Sequence, residues 1–108
     1  MSSNPTTITY IVDQLSSLAP HIRSLKMFGE YAIYYQDRVI ALVCDDTLFV
    51  KITNQGKTLL DADYAEGIPY PGAKPHIKVA EEIINDQGKL CQLITITYNN
   101  LPPKKWSI

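Results

Sequence analysis

Residues 24–52 leave the chain few choices of fold. Three apolar segments of β-type composition, about Leu25–Tyr35, Val39–Cys44 and Leu48–Ile52, are separated only by Gln36-Asp37-Arg38 and Asp45-Asp46-Thr47. A parallel pair needs a crossover of a dozen or more residues, so connections this short force an antiparallel meander of three strands. Both connections are rich in residues that accept turn dihedrals. In the third segment Leu48, Val50 and Ile52 alternate with Phe49 and Lys51, the period-two pattern of a strand with one buried face. Val39-Ile40-Ala41-Leu42-Val43-Cys44 is apolar on both faces. That places it at the centre of the sheet, covered on both sides or in contact with another chain on one.

Helical spacing surrounds this block. Ile8, Ile11, Val12, Leu15 and Leu18 form one stripe over residues 5–18. Asn4 suits the N-cap and Pro5 the first turn, where its missing N–H costs nothing. A second helix is expected over residues 54–66, capped by Thr53 or Asn54, with Leu59, Leu60 and Tyr64 inward and Gly67 in the left-handed position beyond its end. Ile68–Pro75 holds three Pro and one Gly in eight residues and reads as a loop or extended edge. His76-Ile77-Lys78-Val79 reads as a short strand. Residues 86–101 fit either a helix or a strand. Their length and the Pro102-Pro103 stop favour a helix. The expected fold is therefore a two-layer α+β domain in the order α-β-β-β-α-β-α, helices packed on an antiparallel sheet.

Such a fold fits the size of the chain. With 108 residues there is room for one domain, its core over about 5–101 and a tail over 102–108 in which Trp106 tucks against the body. The formal net charge is −1. Autonomous nucleic-acid binders draw most of their affinity from phosphate contacts, so this balance argues against one. Charge is uneven along the chain. Residues 30–66 carry seven acidic and three basic side chains (−4), while residues 67–108 carry five Lys and three acidic ones (+2). No apolar run nears the roughly 18 residues of a membrane span, and the first residues lack the charged and apolar regions of a secretory signal. Cys44 and Cys91 lie in no CxxC or Cys/His cluster and read as free, buried thiols of a cytoplasmic protein.

The chemistry-bearing residues do not assemble into a catalytic pattern. His21 and His76 lack local partners and read as loop or surface histidines. Asp45-Asp46 is explained by its turn. Gly67–Lys74 lacks the Gly-Lys-Ser/Thr ending and the following helix of a phosphate loop. No Ser-His-Asp, HExxH, GxSxG or dinucleotide-binding pattern occurs. The expectation is a non-enzyme without metal or cofactor. Seven tyrosines, Tyr10, Tyr31, Tyr34, Tyr35, Tyr64, Tyr70 and Tyr98, read for the most part as core or half-core groups, with some lining a surface of the kind favoured at interfaces.

One stretch is more specific. Arg23-Ser-Leu-Lys-Met27-Phe28-Gly29-Glu-Tyr31-Ala-Ile33-Tyr34, followed by Ala41-Leu42-Val43 and Asp46-Thr-Leu48-Phe49-Val50-Lys51, resembles the N-terminal domain of the TfoX/Sxy family, regulators of bacterial competence for DNA uptake. The likeness covers about residues 8–101. It departs from the family pattern at Glu30 and Ala32, which stand where the family has Gly, and over His76–Ala80. The chain is expected to be a single-domain member without the family's C-terminal domain. The resemblance implies a small α+β domain that acts in transcription by contacting another protein, such as a transcription factor of the cyclic-AMP receptor type. In physical terms, Arg23 reads as an anchor for a buried carboxylate or carbonyl. Met27 and Phe28 read as core or groove-lining groups, Gly29 as a bulge or close backbone approach, and Tyr31 and Tyr34 as interface side chains. A second reading is a small-molecule-binding or enzymatic domain with its pocket between the sheet and the 68–75 loop and Arg23, Tyr31, Lys74 and His76 as its polar groups. The doubly apolar strand and the tyrosines could supply a homodimer contact, and the sequence does not fix the oligomeric state.

Overall fold

The structure, a computed structural model, describes residues 3–102. Helix α1 (Pro5–Gln14) leads into a single 3₁₀ turn at Ser16–Leu18. Strands β1 (Ile22–Met27), β2 (Glu30–Tyr35), β3 (Arg38–Cys44) and β4 (Thr47–Val50) follow. Helix α2 (Asn54–Leu60) and a 3₁₀ turn precede β5 (Glu66–Gly67), and β6 (His76–Lys78) precedes the helices α3 (Glu81–Ile84) and α4 (Gln87–Asn100). The six strands form one antiparallel sheet in the order β1-β2-β3-β4-β6-β5. The α+β architecture is the one read from the sequence.

Several local expectations hold. Asn4 caps α1, its side chain accepting from the Thr6 N–H, and Thr53 Oγ1 caps α2 by accepting from the Gly56 N–H at 2.9 Å. Ile8, Ile11 and Leu15 face the core. Residues 87–100 are helical, and Leu90, Leu93, Ile94 and Thr97 bury one stripe. The sheet supplies the other wall: Ile33 and Tyr35 of β2, Ile40, Ala41 and Val43 of β3, Leu48 and Val50 of β4, and Ile77 of β6. Tyr35 meets the α4 ring of Tyr98 edge-on at 5.1 Å. β3 is central, as its two apolar faces require.

Several expectations change, and the expected order of elements lacks both β5 and α3. The first strand is two, so the meander has four strands rather than three. Its hidden turn is Phe28-Gly29, with φ of 53° and 81°. All three meander turns are built alike: Gln36-Asp37 (50° and 66°) and Asp45-Asp46 (51° and 56°) also place both central residues in the left-handed region. Two-residue turns of this hand match the right-handed twist of the strands they join. Gly29 therefore makes a hairpin tip. The bulge expected there lies elsewhere, where the β2–β3 register shifts between Ile33 and Tyr34. The second helix is shorter than expected and ends with Asp61, not Gly67, at positive φ. Gly67 instead sits in β5, where a Cβ would lie 3.0 Å from the Phe49 ring. Its bareness lets β5 approach that ring, a glycine covered by an aromatic side chain. The expected packing of Trp106 lies outside the described residues.

Leu93 is fully buried between α4 and the sheet. Leu93→Ala is expected to lower unfolding stability by about 2–5 kcal/mol, measured by urea denaturation at unchanged m-value.

Candidate functional site

The helices cover one face of the sheet and leave the other open. Alternation assigns that open face. With Ile33 and Tyr35 in the core, Glu30, Ala32 and Tyr34 of β2 point away, together with their ladder partners Met27, Leu25 and Arg23 of β1. Leu42 of β3 and Phe49 of β4 continue the row, being paired with each other and, for Leu42, with Ala32. Ala32 and Phe49 are buried there without help from any helix. Phe49 lies beneath Gly67, and the segment that follows Gly67 crosses the open face.

That segment is fixed by a tight turn. Tyr70-Pro71-Gly72-Ala73 closes with the Ala73 N–H donating to the Tyr70 carbonyl at 3.0 Å, and Gly72 has φ 88°. Pro followed by Gly at positive φ is the sequence demand of a type II turn. Between this turn and the β1–β2 tip runs a groove of about 670 Å³, bordered by Met27, Phe28, Tyr31, Leu42, Pro69 and Tyr70, with Glu30, Cys44 and Asp45 at one end. It is apolar along its length and acidic at that end. The size is that of a site for a drug-sized molecule or a short peptide segment.

The two acidic groups are Glu30 and Asp45. The Glu30 carboxylate accepts from Ser3 Oγ at 2.6 Å and from the Asp45 N–H at 3.1 Å, so it ties the N-terminal segment to the β3–β4 turn. Asp45 borders the groove from that turn. Burial, and secondarily the Glu30 charge, push the Cys44 thiol above its ordinary pKa. It is a buried wall group, whereas Cys91 is half-buried beside Ser17. Both thiols are free, as expected, but only Cys44 is buried as both were expected to be.

The motif residues are brought together only in part. Met27, Phe28 and Tyr31 border the groove; of these, Met27 and Phe28 are exposed rather than core groups. Gly29 forms the tip beside them. Arg23 anchors nothing buried. Its guanidinium stacks 4.2 Å from the Tyr34 ring centroid and reaches the exposed Asp37 at 3.6 Å, a surface pair of little worth to stability. The groove lies between the sheet and the 68–75 loop, where the second reading set its pocket, and of the four polar groups named for it only Tyr31 borders it. Arg23, Lys74 and His76 do not border the groove, and the His76 ring is engaged with the Lys74 carbonyl at 2.8 Å. Leu42, Cys44, Asp45 and Tyr70 were missed. Only a fold that lays residues 69–71 over β3 makes them neighbours. Among the described residues, no three His, Cys, Asp or Glu side chains gather to hold a metal ion, and no helix is long and apolar enough to cross a membrane.

Phe28 is the most unusual residue of the site. It holds φ 53° at a turn where Asn or Asp is favoured, and its side chain is fully exposed. An L-residue with a Cβ in this region costs about 1–2 kcal/mol, and here no burial offsets it. Phe28→Asn is therefore expected to raise stability by about 1 kcal/mol in chemical denaturation. Cys44 should alkylate with iodoacetamide well below the rate of Cys91 near pH 8, because the thiolate reacts and burial suppresses it. Peptide mapping by mass spectrometry reads both sites, and equal rates would contradict the placement of Cys44.

A curated protein of similar size, an uncharacterized 12.7 kDa protein in trpE 5'region from Spirochaeta aurantia, is 30% identical over 105 residues, which cover 97% of this chain and 89% of that one. The family model described as the TfoX N-terminal domain matches residues 13–101, a span that runs from the end of α1 through the hairpin tip, the groove and α4. The chain belongs to the TfoX N-terminal domain family.

Proposed function

We propose that this protein is a non-enzymatic interaction module of the cytoplasm, which docks another protein onto the open face of its sheet and acts through that partner in transcription. The observation that carries the reading is Phe28, a fully exposed aromatic ring held at an unfavourable backbone angle beside an apolar groove. Departures from local sequence rules with no gain to the fold gather at functional sites. Aromatic and Met side chains are also the ones enriched at interface centres. Glu30 and Asp45 at the groove end favour a partner segment that couples apolar side chains to a basic one. Family membership supports a regulatory reading, with a transcription factor of the cyclic-AMP receptor type as the first partner to test.

A photo-crosslinking amino acid at position 28 is expected to capture one defined host protein. Adding Met27→Asp should reduce the yield about tenfold, equivalent to roughly 1.4 kcal/mol of lost affinity. Absence of any specific adduct with another protein across several growth states overturns the reading.

A second reading rests on the groove volume, which suits a small apolar ligand as well. A metabolite that raises the melting temperature by several degrees, with the rise lost in Tyr70→Ala at unchanged fold, would favour it.

A further inference from the structure

The two edges of the sheet are not alike. β5 is two residues long and runs directly into Ile68-Pro69-Tyr70-Pro71. β1 is six residues long, its ladder to β2 is unbroken from Ile22–Tyr35 to Met27–Glu30, and Arg23 through Met27 are all exposed. Natural sheets blunt such an edge with proline, a bulge, a covering element or outward charge. β1 has no proline and no bulge. Of its two charges, Arg23 is turned back onto Tyr34 and Asp37 of its own molecule, which leaves Lys26 alone as a guard.

The phase of the hairpin identifies the free groups. A two-residue turn makes the residues flanking it a hydrogen-bonded pair, here Met27 and Glu30. Alternation then makes Leu25–Ala32 and Arg23–Tyr34 hydrogen-bonded pairs as well. The Gln36 N–H donating to the His21 carbonyl at 2.9 Å keeps the same phase. The N–H and C=O groups of Ile22, Ser24 and Lys26 therefore point outward, and no described residue takes them up.

We propose that β1 pairs antiparallel with β1 of a second copy of the chain, about a two-fold axis through Leu25, and joins two six-stranded sheets into one. The register follows from charge and apolarity. An axis through Arg23 or Lys26 sets like charges against each other, which is destabilising. An axis through Ser24 avoids that but sets the exposed Met27 opposite His21, outside β1, and leaves it without a strand partner. With the axis at Leu25, Ser24 pairs with Lys26, Arg23 lies opposite Met27, and Leu25 meets its own copy. Leu25 and Met27 are 45% and 40% exposed in the isolated chain, and this register covers both. The contact is isologous, so it closes as a dimer rather than growing into a fibre. It also sets the two grooves on one face of the joined sheet and brings each Phe28 beside Ile22 of the other copy. This pairing stands apart from the proposed docking function, since it is tested on the purified chain with no partner present.

The test is disulfide capture together with sedimentation of the full-length protein. Leu25→Cys is expected to cross-link rapidly under mild oxidation, because facing Cβ atoms in a non-hydrogen-bonded pair lie about 4.5–5.5 Å apart. Lys26→Cys, opposite Ser24 in this register, should give no more dimer on a non-reducing gel than the native chain with its Cys44 and Cys91. Ser24→Pro removes an outward N–H that β2 does not use, so it should keep the fold by circular dichroism yet sediment as a 12.1 kDa monomer. Leu25→Lys should do the same and serves if the proline variant does not fold. The proposal is overturned if the native chain is monomeric up to about 1 mM, a bound that corresponds to only about 4 kcal/mol. It is equally overturned if Leu25→Cys links no better than Lys26→Cys, or if the dimer persists in a folded Ser24→Pro or Leu25→Lys chain.

Discussion

The hand of three turns governs this molecule. Phe28-Gly29, Gln36-Asp37 and Asp45-Asp46 each reverse the chain in two residues, with both residues at positive φ. Turns of this hand keep successive strands twisted together, so β1 to β4 lie side by side in sequence order and every side chain's face is set by the phase of its turn. Only then do Ile33, Ala41, Val43, Leu48 and Val50 line up beneath α1 and α4, while Leu25, Ala32, Leu42 and Phe49 line up on the other side. A slip of one residue in any hairpin would exchange the two sets and expose the core.

A sheet with helices on one face must solve the other face separately. Here the solution is partial. Gly67 lets the strand of β5 close over Phe49, and the proline-stiffened turn at Tyr70–Ala73 shelters the centre of the face. The shelter stops short of β1 and the Phe28 tip. The groove, the exposed Leu25 and Met27 and the unguarded edge all follow from that limit, so docking and self-association draw on the same uncovered corner of the sheet. Tying Glu30 to Ser3 and Asp45 holds one end of the groove in place and connects the site to the N-terminal segment.

Much of the scaffold was legible before any coordinates. Asn4, Pro5 and Thr53 announce their helices because capping is a local matter between a side chain and a backbone N–H two or three residues on. The stripe of α4 and the alternation of β4 are legible for the same reason: periodicity is local. The division of the first strand was not. A single Gly after an aromatic residue reads as a bulge as easily as a turn, and Phe is an uncommon occupant of a left-handed position. At Gly67 the reading failed because two uses of glycine look alike in sequence. One is freedom at positive φ beyond a helix, the other is absence of a Cβ beneath a ring. Only Phe49, 18 positions earlier in the chain, decides between them.

Taken alone, then, the order of residues determined the class of fold, the starts of α1, α2 and α4, the antiparallel meander and the family motif around Arg23–Tyr34. Each of these rests on interactions within a few residues or on a period. Tertiary structure alone decided that Arg23 stands on the surface, that Met27 and Phe28 meet Leu42, Cys44 and Tyr70 around one groove, and that β1 is left as the open edge. Those outcomes depend on which strands become neighbours and where a distant loop comes to rest, and the packing that settles them acts between residues tens of positions apart.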